Sequence, residues 1–455
     1  MQTPSFSPIF GDHMVLQRGV PVRVWGRAEP GGKLRVTLGR TGVSAEADRD
    51  GVWQAELPAG PHHGPHASHE PLELAVSGSG GRAACRDVRF GEVWILAGQS
   101  NIEWEASKFP DATAEAACRD LPEVRIFTVK PCRSLLPRRS VTGGWQAMTP
   151  ASALGFSALG MTFAAELHLE LGVPVGAISC ALGDTCAEMW TSREALLASP
   201  VFRDRVPPLP ERPGGEVGRY DPSCLFHGMV EPLAPLAARG VIWYQGESNG
   251  RRPHEYRDLF SRLIADWRRA FRAPEWPFHY VQLPRFRPFE AVACSGQWAE
   301  LRAAQQEVLS LPGTAMVPAI DLGDPVDIHP PGKAVIARRL VESVLARVYG
   351  HPVAAGGPGV GAVRWLEDAV EITLADASGE PYLREPGGFV LRGADGPFHP
   401  ALARLAGRRL RVSSPAVKRP MAIRYAWADN PPVTLFGANG WPAPPFAFTR
   451  GGTAG

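Results

Sequence analysis

Hydrophobic and polar residues alternate with period two over the first part of the chain. Met14-Val-Leu, Val20-Pro-Val-Arg-Val-Trp, Leu34-Arg-Val-Thr-Leu, Val52-Trp-Gln-Ala-Glu-Leu and Leu72-Glu-Leu-Ala-Val are separated by clusters of Gly, Pro and Asp. Alternation turns one side of each segment to a core and the other to water, so residues 1–88 are predicted to form a small β-sandwich module. From residue 89 the pattern changes to continuous apolar runs: Val93-Trp-Ile-Leu, Val175-Gly-Ala-Ile-Ser, Val241-Ile-Trp-Tyr, Phe278-His-Tyr-Val and Ala315-Met-Val. Runs of this kind suit strands covered on both faces. Helical periodicity lies between them. In His254 to Phe271, residues Tyr256, Leu259, Phe260, Leu263, Ile264, Trp267 and Phe271 share one face. A second helix is predicted over Ser157 to Leu171, stopped by Gly172 and Pro174, and a third over Gly332 to Val348, with Val335, Leu340, Val341, Val344 and Val348 facing inward. Strands alternating with helices predict an α/β domain over residues 89–349, with a mostly parallel sheet and a ligand site beyond the carboxyl ends of its strands. After Gly350 the β pattern returns in Val370-Glu-Ile-Thr-Leu, Phe389-Val-Leu, Leu410-Arg-Val and Met421-Ala-Ile-Arg-Tyr, predicting a C-terminal β module over 350–455.

Composition narrows the function classes. A chain of 455 residues is long enough for a catalytic domain with smaller modules. Lys and Arg number 48 against 46 Asp and Glu, a net charge of +2 without a long run of either sign, so nucleic acid is not expected as a partner. No stretch of about 18 apolar residues predicts a membrane span. The N-terminal residues lack a basic segment followed by an apolar one, which makes a cytoplasmic, non-secreted chain the expectation. Cys85, Cys118, Cys132, Cys180, Cys186, Cys224 and Cys294 are scattered and odd in number, a pattern that suits reduced thiols better than a disulfide framework. The run Pro61-His-His-Gly-Pro-His-Ala-Ser-His is rich in His, yet it has no acidic or Cys partner at ligand spacing. It reads as an exposed loop and is assigned no metal.

Three polar motifs fall at the ends of predicted strands: Gly98-Gln-Ser-Asn101, Gly246-Glu-Ser-Asn249 and Asp321 to His329. They supply a hydroxyl, an amide donor and a His-carboxylate pair, the parts of an acyl-transfer site. A serine hydroxyl is a weak nucleophile near neutral pH and needs an imidazole to take its proton. Ser100 and His329 are the candidates. Asp327, two residues before His329, projects to the same side of an extended segment and is the first candidate to orient the ring, with Asp324, Asp321 or a backbone carbonyl as rivals. Candidate oxyanion donors are the Asn249 amide and the backbone N–H groups of Gly183 and Ser100. The Gly-x-Ser-x-Gly elbow of α/β-hydrolases is absent, since Asn101 and Ile102 follow Ser100.

The order Ser100, Gly183, Asn249, Asp327-x-His329 resembles the blocks of SGNH hydrolases, and the wider context resembles the sialate O-acetylesterase family. The matching phrases are Gly91-Glu-Val-Trp-Ile-Leu-Ala-Gly-Gln-Ser-Asn101, Glu188-Met-Trp-Thr-Ser-Arg-Glu-Ala195, Gly240-Val-Ile-Trp-Tyr-Gln-Gly-Glu-Ser-Asn249, Trp298-Ala-Glu-Leu-Arg302 and Asp321 to Pro330. Phe10-Gly-Asp-His-Met-Val-Leu-Gln17 and Tyr425-Ala-Trp-Ala-Asp-Asn-Pro431 extend the similarity almost to both ends. The resemblance implies a flavodoxin-like, three-layer α/β/α SGNH catalytic domain flanked by β-sandwich modules. It also implies a serine esterase that removes O-acetyl groups from sialic acid or related sugars, as a small molecule or an oligosaccharide, without metal or organic cofactor. Ser100 is then the nucleophile, His329 the base, Asp327 its partner, and Gly183 and Asn249, with Ser100, the oxyanion hole.

Gln99, Glu247, Arg302 and Gln305 are candidate substrate contacts, and a buried pairing that only shapes the cleft is the rival reading for Glu247 and Arg302. Trp104, Trp190, Trp243 and Tyr244 can stack on a sugar or belong to the core. The sequence departs from the family at Asp184, where a second glycine is usual. Alternatives to the sialate esterase are an acetyl-xylan or other plant-polysaccharide deacetylase, a metal-dependent deacetylase, and a non-catalytic carbohydrate-binding protein on the same scaffold.

Overall fold

The computed structural model describes residues 2–59, 70–209, 217–375 and 379–451. The His-rich run at 61–69 lies outside these residues. The chain divides into two compact units: Met1–Trp243 with Arg262–Phe278, and Tyr244–Ser261 with His279–Gly455.

In the first unit, Ser5–Phe6, Val22–Arg27 and Val52–Leu57 form a three-stranded antiparallel sheet. Lys33–Leu38 pairs with both Thr41–Glu46 and Leu72–Gly78. The alternation in the sequence reaches the core as expected of period two: Leu34, Val36 and Leu38 are buried while Lys33 and Arg35 are exposed. One 18-residue strand, Gly81–Gly98, then passes through residue 88 without a break. Its first part pairs antiparallel with Leu72–Gly78, and its last part pairs parallel with Val175–Ala181, from Glu92 opposite Val175 to Gly98 opposite Ala181. Leu121–Thr128 lies parallel on the far side of Val175–Ala181 and Trp145–Met148 closes that edge antiparallel. The apolar run Val93–Leu96 is buried throughout, as a strand covered on both faces requires.

The helix Ala158–Leu171 begins where Ser157 accepts the Gly160 N–H and ends at Gly172, whose φ of +63° completes a left-handed cap. Glu92, fully buried, ties three segments of this unit together by accepting from Arg18 at 2.6 Å, Arg239 at 2.7 Å and Gln17 at 3.0 Å. A carboxylate taken out of water needs that complete a set of partners.

In the second unit, the helices Gln297–Glu307 and Lys333–Arg347 accompany the strands His279–Gln282, the part of Phe278–Gln282 that belongs here, and Thr314–Pro318. On the last helix Leu340, Val341 and Val344 are buried as their spacing predicts, but Val335 is 39% exposed and does not belong to the inward face. Residues from Val360 onward form a seven-stranded sheet in the order Val360–Trp365, Ala369–Leu374, Arg409–Ser413, His399–Ala406, Phe389–Arg392, Ala422–Tyr425, Phe446–Thr449. Val370, Ile372, Leu410, Val412, Leu391 and Ile423 fill its core. The buried Tyr425 hydroxyl accepts the N–H groups of Thr434 and Leu435, so its polar end is satisfied inside the apolar layer. The molecule is thus α/β with several sheets. All seven cysteines are free thiols. No helix among the described residues is long and apolar enough to cross a membrane.

Candidate active site

The nucleophile candidate sits on a strand-to-helix turn in the first unit. Strand Gly81–Gly98 stops at Gly98, whose φ of +137° is a conformation that favours glycine. Gln99 is extended, and Ser100 opens the four-residue helix Ser100–Glu103. The turn is closed by Ile102 and Glu103 N–H groups donating to the Gln99 carbonyl at 3.0 Å, and by Trp104 N–H donating to the Ser100 carbonyl at 2.9 Å. Ile102 is fully buried beneath it, and its carbonyl accepts the Ser157 hydroxyl at 2.5 Å. Gln99 and Asn101 are buried too, at 4% and 2% exposure, while Ser100 keeps 9%. The serine is therefore placed by packing and backbone bonds rather than by a flexible loop.

Beside it lies the turn after strand Val175–Ala181. Leu182 N–H donates to the Gly98 carbonyl at 3.1 Å, which joins the two strand ends. A Cβ at Gly183 would lie 3.3 Å from Ser100 Cβ and 2.9 Å from Glu103 Oε2, so any side chain here would press on the serine and displace the Glu103 carboxylate. The Gly183 N–H, a candidate oxyanion donor, donates to Glu103 Oε2 at 2.7 Å. Burial pushes the Glu103 carboxyl above the usual carboxylate range, against the opposing pull of the Gly183 N–H and of Lys108. The sequence reading did not single out Glu103 as the partner of Gly183. The signal available was its place three residues after Ser100, on the same helical turn.

Asp184, the departure from the family pattern, has φ +55°. Its Oδ2 accepts from Arg219 Nη2 at 2.5 Å and from the Tyr220 hydroxyl at 2.7 Å. No motif in the sequence pointed to Arg219 or Tyr220.

The second unit carries the amide and the imidazole. Asn249 is buried in the short helical turn Glu247–Asn249, and its Oδ1 accepts from Gln245 Nε2 at 2.8 Å. Gln245 is in turn held by the Tyr256 hydroxyl, which donates to its Oε1 at 3.0 Å, and by Gln305 Nε2, which donates to its carbonyl at 3.3 Å. This chain orients the Asn249 amide with its NH2 on the arm away from Gln245. Gly246 has φ +155°, and a Cβ there would lie 2.8 Å from Leu301, so the turn needs glycine in this motif as well. Glu247 is half-buried on the same turn.

His329 Nδ1 lies 3.1 Å from Asp327 Oδ1, which also accepts the His329 N–H at 2.8 Å. Of the rival carboxylates, Asp321 forms a two-oxygen pair with Arg339 at 2.7 and 2.8 Å. Asp324 accepts the N–H groups of Val326 and Asp327 and so builds the turn that leads to the histidine. Burial lowers the His329 pKa below the ordinary histidine value, with the Asp327 carboxylate pulling the other way and the Lys333 charge adding to the lowering. An imidazole so placed is neutral and able to accept a proton at neutral pH.

Two of the candidate substrate contacts lie in the protein interior. Arg302 is fully buried and donates to the carbonyls of Leu283, Pro284, Ala428 and Asp429 at 2.8–2.9 Å. Burial lowers its pKa to about 9, and four carbonyl dipoles hold the cation in place of water. Gln305, also fully buried, holds the Leu283 N–H at 2.9 Å in addition to Gln245. Both residues brace the interior of the second unit and touch no solvent. Trp190, Trp243 and Tyr244 are likewise fully buried and belong to the core, whereas Trp104 is half-buried. Among the described residues no group of three or more His, Cys, Asp or Glu is arranged to hold a metal ion.

A serine hydroxyl on a rigid turn, a neutral imidazole whose Nδ1 meets a carboxylate, and oriented amide donors are the kinds of group used to transfer an acyl group from an ester. The protein is a carboxylic ester hydrolase. The family model described as carbohydrate esterase, sialic acid-specific acetylesterase matches residues 90–346. The sialate O-acetylesterase of Mus musculus is 30% identical over 408 residues, covering 76% of this chain and 74% of that protein. The sialate O-acetylesterase of Homo sapiens is 29% identical over 390 residues, covering 76% and 71%. A solved carbohydrate acetylesterase from Xanthomonas citri superposes with a TM-score of 0.88 and 32% identity, covering 98% of this chain and 99% of that one. The chain belongs to the carbohydrate esterase, sialic acid-specific acetylesterase family, and it is a carbohydrate O-acetylesterase.

Proposed function

We propose that the protein hydrolyses O-acetyl esters of sialic acid or a related sugar through an acetyl-Ser100 intermediate, on an SGNH-hydrolase scaffold and without a cofactor. Ser100 Oγ attacks the acetyl carbonyl while His329 takes its proton. Charge then develops on the carbonyl oxygen, and the N–H groups of Gly183 and Ser100 and the Asn249 amide receive it. The sugar hydroxyl leaves with the proton from His329. Water next gives a proton to His329 and attacks the acetyl-serine, and acetate is released as His329 returns that proton to Ser100 Oγ. Asp327 keeps the imidazole in the tautomer that leaves Nε2 as the proton acceptor. Glu103 has to yield the Gly183 N–H as the oxyanion forms, because a carboxylate and an oxyanion repel each other at one donor.

The observation that carries the reading is the close approach of Gly183 to Ser100, which sets a backbone N–H turn against the hydroxyl of a buried strand-to-helix turn. The family match and the named relatives support acetylated sugar as the substrate. The test is hydrolysis of 4-nitrophenyl acetate by wild type and Ser100→Ala, run beside acetate release from O-acetylated sialic acid and acetylated xylan. Ser100→Ala is expected to lower kcat by on the order of 10⁴-fold or more. Wild-type rates in the variant, with contaminating esterase excluded, would overturn the mechanism, and acetate release from xylan alone would move the substrate to plant polysaccharide.

A further inference from the structure

The cluster around Asp184 is not used by the chemistry above, yet it adjoins the turn that faces Ser100. Asp184 follows Gly183 directly, so their Cα atoms are about 3.8 Å apart. It holds a left-handed backbone conformation that costs most residues energy and that Asp tolerates only in part. Its carboxylate accepts from both Arg219 and Tyr220. The Arg219 guanidinium carbon lies 5.5 Å from the centre of the Tyr220 ring. All three are open to solvent: the side chains of Arg219 and Asp184 are 67% and 53% exposed, and Tyr220 is 50% exposed.

The turns that carry them are fixed from behind. Thr185 Oγ1 donates to the Leu182 carbonyl at 2.7 Å, and the buried Trp190 donates to Thr185 Oγ1 at 3.0 Å. Gly218 N–H donates to Asp221 Oδ2 at 2.6 Å across the turn that presents Arg219 and Tyr220. An ion pair this exposed contributes little to folding, so stability alone does not account for a strained backbone that maintains it. An aromatic ring beside a carboxylate and a guanidinium does suit a sugar, whose C–H face packs on the ring and whose hydroxyls both donate and accept. Arg219 meets such a ligand with its charge already balanced by Asp184. A ligand carboxylate has to compete with Asp184 for the guanidinium, whereas hydroxyls can bond to the pair as it stands.

We infer that Asp184, Arg219 and Tyr220 form the sugar subsite beside Ser100, and that Asp184 sets its charge preference by keeping Arg219 from a substrate carboxylate. The inference rests on the reading of Ser100 as the nucleophile of a sugar-ester hydrolase. Three esters separate the possibilities: 4-nitrophenyl acetate, which has no sugar, an acetylated methyl xyloside, which is neutral, and O-acetylated sialic acid, which carries a carboxylate. Asn keeps the left-handed backbone, so Asp184→Asn removes the charge with little change of turn. It is expected to raise the acidic-to-neutral ratio of kcat/KM about fivefold at low salt, with the gain shrinking as salt is added. Tyr220→Ala is expected to lower kcat/KM for both sugar esters relative to 4-nitrophenyl acetate about tenfold, mainly through KM. An acidic-to-neutral ratio unmoved by Asp184→Asn, or an equal loss on all three esters in Tyr220→Ala, would overturn the subsite while leaving the esterase reading intact. Wild type that cleaves 4-nitrophenyl acetate but neither sugar ester would overturn the sugar-ester reading and the subsite with it.

Discussion

The turn that carries Ser100 and the segment that carries His329 are built in opposite ways. Ser100 is held from a distance: Gly98 accepts from Leu182, Ile102 accepts from Ser157, and Glu103 accepts from Gly183, partners 84, 55 and 80 residues away. The residues around it are buried. His329 instead ends a polar run whose hydrogen bonds are local, Asp324 taking the N–H groups two and three residues on and Asp327 taking that of residue 329. Val326 in that run is 86% exposed and the Asp327 side chain 61%. A nucleophile needs a fixed position relative to its oxyanion donors, and burial supplies it. An imidazole that must exchange protons with solvent and leaving group is served by an exposed carboxylate and a short-range turn.

If that contrast is right, damage should be read out differently on the two sides. The largest stability loss is expected from Ile102→Ala, which empties a fully buried site beneath the serine turn and should cost about 2–5 kcal/mol, measured by denaturant unfolding. A cost under about 1 kcal/mol would mean that the turn is not held by packing.

Gly183→Ala should act on rate. Its Cβ would press on Ser100 Cβ at 3.3 Å and on the Glu103 carboxylate at 2.9 Å, and because Glu103 ends a flexible side chain it can shift and let the fold survive. We expect kcat to fall on the order of 100-fold, with nearly unchanged unfolding. Unchanged kcat would remove Gly183 from the oxyanion hole.

Asp327→Asn sharpens the other side of the comparison. Because burial lowers the His329 pKa, the acid limb of kcat/KM should lie below the ordinary histidine value, with activity falling only as the imidazole protonates. Asp327 pulls that pKa upward, so Asn should move the limb to still lower pH and reduce kcat about tenfold, a modest loss because an exposed carboxylate is screened by solvent. A limb that moves to higher pH would contradict the assignment of Asp327. The smallest effect is expected from Val326→Ser, within about 0.5 kcal/mol by thermal unfolding, since that side chain is in water and the turn is held by backbone bonds to Asp324.

The contrast also explains which parts of the site were legible in the sequence. The Asp327-x-His329 pairing is a two-residue relation, and spacing made Asp327 the first candidate ahead of Asp324 and Asp321. Ser100 and Asn249 stand in motifs at strand ends, where apolar runs give way to Gly and polar residues, so they were readable as candidates before any contact was known. The same holds for the elements themselves: alternation over Leu34–Leu38, the apolar run Val93–Leu96 and the capped helix Ala158–Leu171 are local patterns imposed by strand and helix geometry. Tertiary structure decided who meets whom. Arg302 and Gln305 sit on a helix where spacing cannot distinguish a substrate contact from a buried brace, and only burial and their carbonyl partners separate the two. Glu103 finding the Gly183 N–H, and Asp184 finding Arg219 and Tyr220, depend on segments brought together across 80 and about 35 residues of chain. A local pattern records which conformation a segment prefers, but hydrogen-bond partners at that separation are chosen by the packing of the whole domain, and for that reason they leave no mark on the spacing of residues along the sequence.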